Sequence, residues 1–557
     1  MAQPAVHSRK KRQHRMKKTL PLILISGVFY GLAYPPFDLH LLIFVSLAIF
    51  LHLIVSADSM RRVLARSYFV FFTASLVAIS WISVSGMQEN ADRFLIIAGI
   101  AVLFVYPLFF LPAAGFTFFV YRSLEKKNLG ALALAVFPFL WTAFEYLSTW
   151  GQITFPWLLA GNSQTYLNGK IQFIEYTGVY GLSFWISAAS VPLCLAGRYI
   201  LSGKSYSKSI PYFAAAVLIY FIPDLINPAG KAAYTETKHI NTGVIQPNVN
   251  PWEKWGGKQR ELIDEYAGMI REIHSKDSAL QLIVLPETAF PFYFREFFFE
   301  NSYMKIKRLC DSINIPLLIG TPDLEYYDST ETAPKDARIR KQTGAKYDTY
   351  NSAVLFEAGK DKTTYDIYRK VKLVPGSERM PYQEHVPFIK NLIEWGVGLG
   401  SWQIGRDTIL FNLGNQGKFN AAICYESVFP GFFAEFVKRG AGFSVIITND
   451  GWWGELAGTH QHSRYAALRA VENRRWIVRC ANTGISSFID PYGKLYDETQ
   501  INSMAMITMK IGYIEEKTFY SMHGDVFADA CMWFSAFAVL LSFLARIFSP
   551  KAPGGRP

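Results

Sequence analysis

Eight long apolar runs punctuate this chain of 557 residues, near positions 20–37, 40–56, 67–86, 94–121, 129–147, 180–197, 210–226 and 527–547. Each holds about 17 to 28 residues, enough for a helix to cross a hydrocarbon core about 30 Å thick. The pattern predicts about eight transmembrane helices, the two shortest of which also suit an interfacial or re-entrant placement. Between the seventh and eighth runs the texture changes to short β-rich segments, amphipathic stretches and Gly/Pro punctuation. Thr242–Val249, Leu280–Leu285, Pro316–Thr321, Tyr350–Phe356, Thr364–Tyr368, Phe419–Cys424 and Phe443–Thr448 read as strands, several of them apolar enough for burial on both faces. Gly257–Ser275 reads as a helix with Leu262, Tyr266, Met269, Ile270 and Ile273 on one face. The polar stretch Tyr326–Lys346 reads as a mobile surface loop. The expected organisation is a membrane domain over 1–227, a water-exposed α/β domain over 228–526, and a last transmembrane helix with its tail over 527–557.

Composition sharpens this picture: 51% hydrophobic against 18% charged residues is too apolar for an ordinary soluble enzyme. A net charge of +12 raises the question of nucleic acid, but the basic residues cluster at the N-terminus and in loops between apolar runs, a pattern of membrane orientation. Arg9 to Lys18, then Arg61, Arg62 and Arg66, then Arg122, Lys126 and Lys127, then Arg198, Lys204 and Lys208 fall on one side, while Pro36–His40 and Met87–Arg93 fall on the other. The basic side is expected to be cytoplasmic. Both termini then lie in the cytoplasm, with Arg546 and Lys551 after the last span, and the α/β domain lies outside it. The N-terminal basic run leads into an apolar segment without a small-residue cleavage motif, so it reads as an uncleaved first span. Cys194, Cys310, Cys424, Cys480 and Cys531 are odd in number and scattered, which argues against a disulfide framework or a zinc site.

Candidate chemistry stands where buried strands end, the usual place for active sites in α/β folds. Glu287 lies in Val-Leu-Pro-Glu-Thr-Ala, Lys370 in Tyr-Arg-Lys-Val-Lys-Leu-Val-Pro, and Cys424 in Ala-Ala-Ile-Cys-Tyr-Glu. Together, in this order, they resemble the Glu-Lys-Cys triad of the nitrilase superfamily. Further matches are Phe155-Pro-Trp-Leu, Gly161-Asn-Ser-Gln, Gln246-Pro-Asn-Val, Lys254-Trp255, Asn449-Asp-Gly-Trp-Trp-Gly, His460-Gln-His and Arg469-Ala-Val-Glu-Asn. With the apolar runs, they make nearly the whole chain resemble the apolipoprotein N-acyltransferase family.

That resemblance implies an extracytoplasmic αββα sandwich of nitrilase type beside a polytopic helical membrane domain, in the inner membrane of a bacterium. It implies transfer of an acyl group from a phospholipid to the α-amine of a diacylglyceryl-cysteine apolipoprotein. Its partners are those two substrates and membrane lipids. The charge pattern argues against nucleic acid, the spacing around His460 and His462 argues against a metal, and no cofactor and a monomeric state are expected. The resemblance assigns catalysis to Glu287, Lys370 and Cys424, support to Glu378, Tyr425 and Glu426, and substrate contacts to Trp255, Trp452 and Glu145. Two departures stand out: Ser148 occupies the place of an arginine after Glu145, and Gly376-Ser377 replaces Phe-Gly before Glu378. Of two neighbouring lysines, Lys370 matches the catalytic position and Lys372 a place more often held by histidine. Glu426, two residues after Cys424, is expected on the same side of an extended strand, set to orient a lysine or the amine.

These residue types suit the reaction. A free thiol has a pKa of about 8.5, so a nucleophilic cysteine needs a base or a cation beside it. Glu287 is the candidate base, and Lys370 with the Tyr425 N–H the candidate oxyanion stabilisers. Cys424 then carries the acyl group as a thioester. His460 and His462 are read as ordinary members of a helix face. Two other readings use the same residues differently: a membrane-tethered amidase of nitrilase type that passes the acyl group to water, and a transporter-like bundle with an inactive binding domain.

Overall fold

The computed structural model describes residues 19–203, 206–226, 234–257, 259–328, 333–385 and 402–548. The run from Arg9 to Lys18, Lys204 and Lys551, which enter the orientation argument, lie outside the described residues.

In lipid a segment must satisfy its own backbone, and a helix does so internally. Among the described residues, six helical segments are long and apolar enough to cross a bilayer: Met60–Ser85, Phe94–Glu125, Gly130–Leu147, Val179–Leu201, Tyr206–Ile226 and Val526–Ile547. The two remaining apolar runs form the shorter helices Thr19–Leu32 and Leu42–Val55. Leu42–Val55 has 14 residues, a rise of about 21 Å, and is buried along most of its length. Close approach is built into the sequence: a Cβ on Gly27 would come within 2.5 Å of Thr73, and one on Gly31 within 2.5 Å of Val77. Small residues of this kind let helices pack where lipid supplies no hydrophobic drive. Interlocked aromatics fill the centre, with Phe71 and Phe110 stacked at 3.9 Å and both against Trp141 at 5.8 Å.

Basic residues collect at one end of this bundle. Arg66 donates to the Leu53 carbonyl, Arg122 pairs with Glu125, and Arg546 lies over Phe119, while Gly115 faces Met60 and Leu64. The α/β part attaches at the opposite end.

Among the described residues, that part contains β1 (Glu236–Gln246), β2 (Leu282–Val284), β3 (Leu317–Tyr326), β4 (Arg338–Ile339), β5 (Lys346–Phe356), β6 (Asp366–Arg369), β7 (Phe411–Asn412), β8 (Lys418–Ile423), β9 (Phe443–Thr448), β10 (Ile477–Ala481), β11 (Ser487–Ile489), β12 (Leu495–Tyr496) and β13 (Ala505–Ile514). One sheet runs β13-β1-β2-β3-β5-β4 with β6 on β5, and the other β12-β11-β10-β9-β8-β7. β1, β2 and β3 are parallel, as are β8, β9 and β10. Parallel neighbours require a crossover, here the helices Gln259–Lys276, Glu300–Ile313, Pro430–Lys438 and Ala457–Asn473. The sheets face each other through Val244, Leu282, Val284 and Leu318 on one side and Phe419, Ala421, Ile423, Val445 and Ile447 on the other, all in one buried cluster. Gln259–Lys276 and Glu300–Ile313 cover the first sheet, and Pro430–Lys438 and Ala457–Asn473 the second. This is the αββα sandwich.

Two expectations change. Tyr326–Lys346 is not a free loop where described: β4 pairs with β5, and Asp336 forms a buried ion pair with Arg379 at 2.6 Å. The strand expected over Phe419–Cys424 ends at Ile423, because the chain turns at Cys424 into the short 3-10 helix Cys424–Val428. The premise that Glu426 shares a strand face with Cys424 therefore fails.

Candidate active site

The site forms where β2, β6, β8 and β9 end, against the membrane part. Glu287 follows β2 in a turn whose next residue, Thr288, takes a left-handed conformation with φ of 48°. Gly320 on β3 makes that turn possible, since a Cβ there would lie 2.3 Å from the Pro286 carbonyl. Lys370 follows β6 and stays in register with β5, its N–H donating to the Asn351 carbonyl at 2.8 Å. Cys424 follows β8 with φ of 51°, a left-handed value that a non-glycine residue adopts only when its surroundings hold it there.

Glu287, Lys370 and Cys424 come together, all nearly buried. Lys370 Nζ donates to Glu287 Oε1 at 3.2 Å and to Glu378 Oε1 at 2.9 Å. Asn351 Nδ2 bridges the same two carboxylates, at 2.7 Å and 3.1 Å, and the Asn449 N–H donates to Glu287 Oε2 at 3.0 Å. Burial alone would lower the Lys370 pKa, but Glu287 and Glu378 outweigh it and hold the ammonium above its ordinary value. Burial raises the Cys424 thiol, the Glu287 charge adds to that, and Lys370 opposes it. The resting pair is thus a thiol beside a fixed cation, with a carboxylate close enough to both to matter electrostatically. Lys372 is elsewhere, its ammonium over the Phe429 and Phe432 rings at 5.3 Å and 5.7 Å.

Glu426 braces the backbone and does not touch the Lys370 ammonium. Its Oε1 accepts from Tyr368 OH at 2.6 Å, Val371 N at 2.7 Å and Lys372 N at 3.1 Å, and its Oε2 from Ile423 N at 2.8 Å. One buried carboxylate thus ties the lysine segment to the cysteine turn. Burial pushes its carboxyl up to about 7 from 4.5. A carboxyl that holds its proton more tightly folded than unfolded contributes stability that is present below 4.5 and lost as pH rises through about 7. Glu426→Gln sets an amide N–H against one of these four donors, an unsatisfied contact of about 1–3 kcal/mol. The variant should melt below the wild type, with a deficit larger at pH 5 than at pH 8; calorimetry across that range checks it.

Tyr425 lies in the first turn of the 3-10 helix, where N–H groups have no acceptor within the helix. Its hydroxyl donates to the Thr154 carbonyl at 2.7 Å, joining the cysteine turn to the membrane part. Trp255 lies in the Pro251–Trp255 turn, 5.8 Å from Lys254 Nζ, and Trp452 meets Trp252 edge-on at 4.7 Å beside that turn. Glu145 is set apart within the membrane bundle, accepting from the Ala160 N–H at 2.8 Å and lining an apolar crevice with Tyr106, Phe110, Trp141 and Leu158.

Four groups join the site without a role assigned from sequence: Asn351, the Asn449 N–H, Lys254 and His462. Asn351 and the Asn449 N–H give no linear signal, because a sheet register and a crossover bring them to Glu287. Lys254 was visible only as part of a motif; it is buried, donates to the Thr288 carbonyl at 3.2 Å, and burial lowers its pKa to about 7. His462 is in the site: a ring nitrogen of it, Sγ of Cys424 and an oxygen of Asp450 lie within 4.8 Å of one another. Asp450 Oδ1 already accepts from Thr448 and meets His462, and Oδ2 accepts from Arg479, so its oxygens serve a hydrogen-bonded network.

A family model described as the apolipoprotein N-acyltransferase N-terminal domain matches residues 26–191, and one described as carbon-nitrogen hydrolase matches 241–515. The Chlorobaculum tepidum protein named apolipoprotein N-acyltransferase is 31% identical over 550 residues, covering 95% of this chain and 98% of its own. This chain belongs to the apolipoprotein N-acyltransferase family. A Geobacter metallireducens protein named apolipoprotein N-acyltransferase is similar at 28% identity, over 94% of this chain and 95% of its own. Among solved structures, a Saccharomyces cerevisiae member of the nitrilase superfamily is similar at 17% identity with a TM-score of 0.35, over 49% of this chain and 90% of its own. Apolipoprotein N-acyltransferase family membership thus spans both the helical and the sandwich parts, as the fused architecture requires.

Proposed function

We infer that this membrane enzyme transfers a fatty acyl group from a phospholipid to the α-amine of a diacylglyceryl-cysteine apolipoprotein, by way of a thioester on Cys424. Glu287 takes the Cys424 thiol proton as sulfur attacks the ester carbonyl. Lys370 Nζ and the Tyr425 N–H stabilise the tetrahedral oxyanion. As it collapses, the ester C–O bond breaks and the proton on Glu287 goes to the departing lysophospholipid hydroxyl. In the second half the apolipoprotein amine attacks the thioester, Glu287 takes the amine proton, the C–S bond breaks and the proton returns to sulfur. Glu378 and Asn351 hold Lys370 and Glu287 in place throughout. Trp255 and Trp452, on and beside the Pro251–Trp255 turn, are assigned to contact with the lipid substrates, and Glu145 to the apolar crevice that it lines with Tyr106 and Trp141.

One observation carries this reading: the triad stands at the junction with membrane helices, where Tyr425 is bonded to Thr154 and Phe155 stacks on Tyr425 at 6.4 Å. Lipid substrates need that placement, since lifting an acyl chain into water costs about 0.8 kcal/mol per CH₂. The division into 1–227, 228–526 and 527–557 follows this split. Basic residues gather at the end of the bundle remote from the site. By the positive-inside rule the site is then extracytoplasmic and the termini cytoplasmic, and membership of a family of bacterial proteins favours the inner membrane as the bilayer. One chain supplies the whole triad, so a monomer suffices for the reaction.

The amidase reading differs in the fate of the acyl group. Purified enzyme given phospholipid and a diacylglyceryl-cysteine peptide should release lysophospholipid and N-acylated peptide in equal amounts, by mass spectrometry. Free fatty acid formed at the same rate with or without the peptide would overturn the transferase assignment.

A further inference from the structure

The helix Ala457–Asn473 enters the junction between the two parts, and two consecutive residues on it contact different things. Gln461 uses its full hydrogen-bonding capacity on the membrane part. Its Oε1 accepts from the indoles of Trp157 at 2.6 Å and Trp81 at 3.1 Å, and its Nε2 donates to the carbonyls of Pro35 and Ala78, each at 3.0 Å. Three separate membrane segments are thereby held by one side chain that is 1% exposed. His462, about 100° further round the helix, turns to the nucleophile. Its Nε2 lies 3.1 Å from the Cys424 carbonyl oxygen and 2.9 Å from Ser427 Oγ, and the Ser427 hydroxyl donates to that same carbonyl at 2.7 Å. Its Nδ1 lies 2.8 Å from Asp450 Oδ1, whose other oxygen accepts from Arg479 at 2.5 Å. Arg479 is anchored in turn by donating to the Ile485 carbonyl at 3.0 Å.

His462 and Ser427 both meet the carbonyl of a residue whose φ of 51° needs support, and Asp450 with Arg479 holds the His462 ring in place for it. The support is itself referenced to the bilayer-embedded frame, because the Trp157 ring lies against the His462 ring at 5.7 Å while its indole N–H is bonded to Gln461. We propose that Gln461 and His462 are positioning residues that lock the Cys424 turn to the membrane domain, so that sulfur is aimed only when the loop bearing Trp157 is seated. The membrane helices are then part of the catalytic frame as well as an anchor. This rests on the thioester reading of Cys424 and extends it to residues that touch no substrate.

The test is single-turnover formation of the acyl-enzyme from phospholipid in the full-length protein, followed by intact mass, with melting temperature recorded for each variant. His462→Ala should slow acylation about a hundredfold, the size expected when a reacting atom is displaced by roughly 1 Å, with the phospholipid concentration for half-maximal rate unchanged. His462→Gln, which keeps a polar group near the carbonyl, should recover part of the loss. Trp157→Phe, which removes the indole N–H contact to Gln461 together with part of the ring packed against His462, should slow the same step about tenfold, with its melting temperature recorded alongside. If variants that melt lower acylate at the wild-type rate once folded, the two residues merely pack and the inference falls. If the wild type itself forms no adduct, the thioester reading falls instead.

Discussion

Lys370→Met is expected to lower acyl transfer by about three orders of magnitude, the scale of losing an oxyanion stabiliser, and to destabilise the fold as well. The ammonium sits between Glu287 and Glu378 with 1% exposure. Without it the two carboxylates, already sharing Asn351 Nδ2, face each other with no cation. Like charges so placed do not both ionise, so one takes up a proton. If that one is Glu287, the base is lost along with the oxyanion contact. Breaking a buried pair from one side costs about 3–5 kcal/mol, so the melting temperature should fall too. Lys370→Met combined with Glu378→Gln separates the effects: removing the orphaned carboxylate should restore much of the stability and none of the activity. Initial rates with melting curves on both variants decide this, and a single variant retaining a tenth or more of the activity would remove Lys370 from catalysis.

The same lysine shows what was legible from sequence. Its position was readable because a motif survives linearly, and so were Glu287 and Cys424, each next to an apolar strand that announces itself by composition. The eight apolar runs are readable too, and among the described residues six of them form helical segments long enough to cross a bilayer while Thr19–Leu32 and Leu42–Val55 are shorter. What sequence could not supply was the third dimension of the site. Asn351 reaches Glu287 through the β3–β5 register, and the Asn449 N–H does so through a crossover helix. Glu426 lies off the expected strand face because a period of two holds only while the chain is extended, and the left-handed Cys424 ends the strand. His462 was discounted because a histidine on a helix gives no sign of what its ring faces. Ser148 in place of an arginine remains local in the structure: its hydroxyl donates to the Glu145 carbonyl at 2.6 Å. Gly376, with φ of 76°, uses a conformation that suits glycine, and its N–H donates to the Arg379 carbonyl at 2.8 Å, so this loop makes its own tight turn ahead of Glu378.

Cys424 is the residue that carries the acyl group in the proposed reaction. Burial and the neighbouring Glu287 charge raise its thiol pKa while Lys370 opposes them, which disfavours a free thiolate. Reaction depends on a bound ester that lets Glu287 take the proton as the new bond forms. Sulfur is then both a good nucleophile toward the ester and a good leaving group toward an amine, a pairing that serine lacks. Cys424→Ser is therefore expected to abolish transfer while leaving the fold and lipid binding intact. The decisive measurement is the intact mass of the purified protein after incubation with phospholipid and no acceptor, wild type beside Cys424→Ser. An acyl-sized gain is expected on the wild type alone, released by hydroxylamine and passed on to a diacylglyceryl-peptide amine. An equal adduct on the Cys424→Ser protein, or acyl transfer that proceeds without Cys424, would contradict the thioester on Cys424.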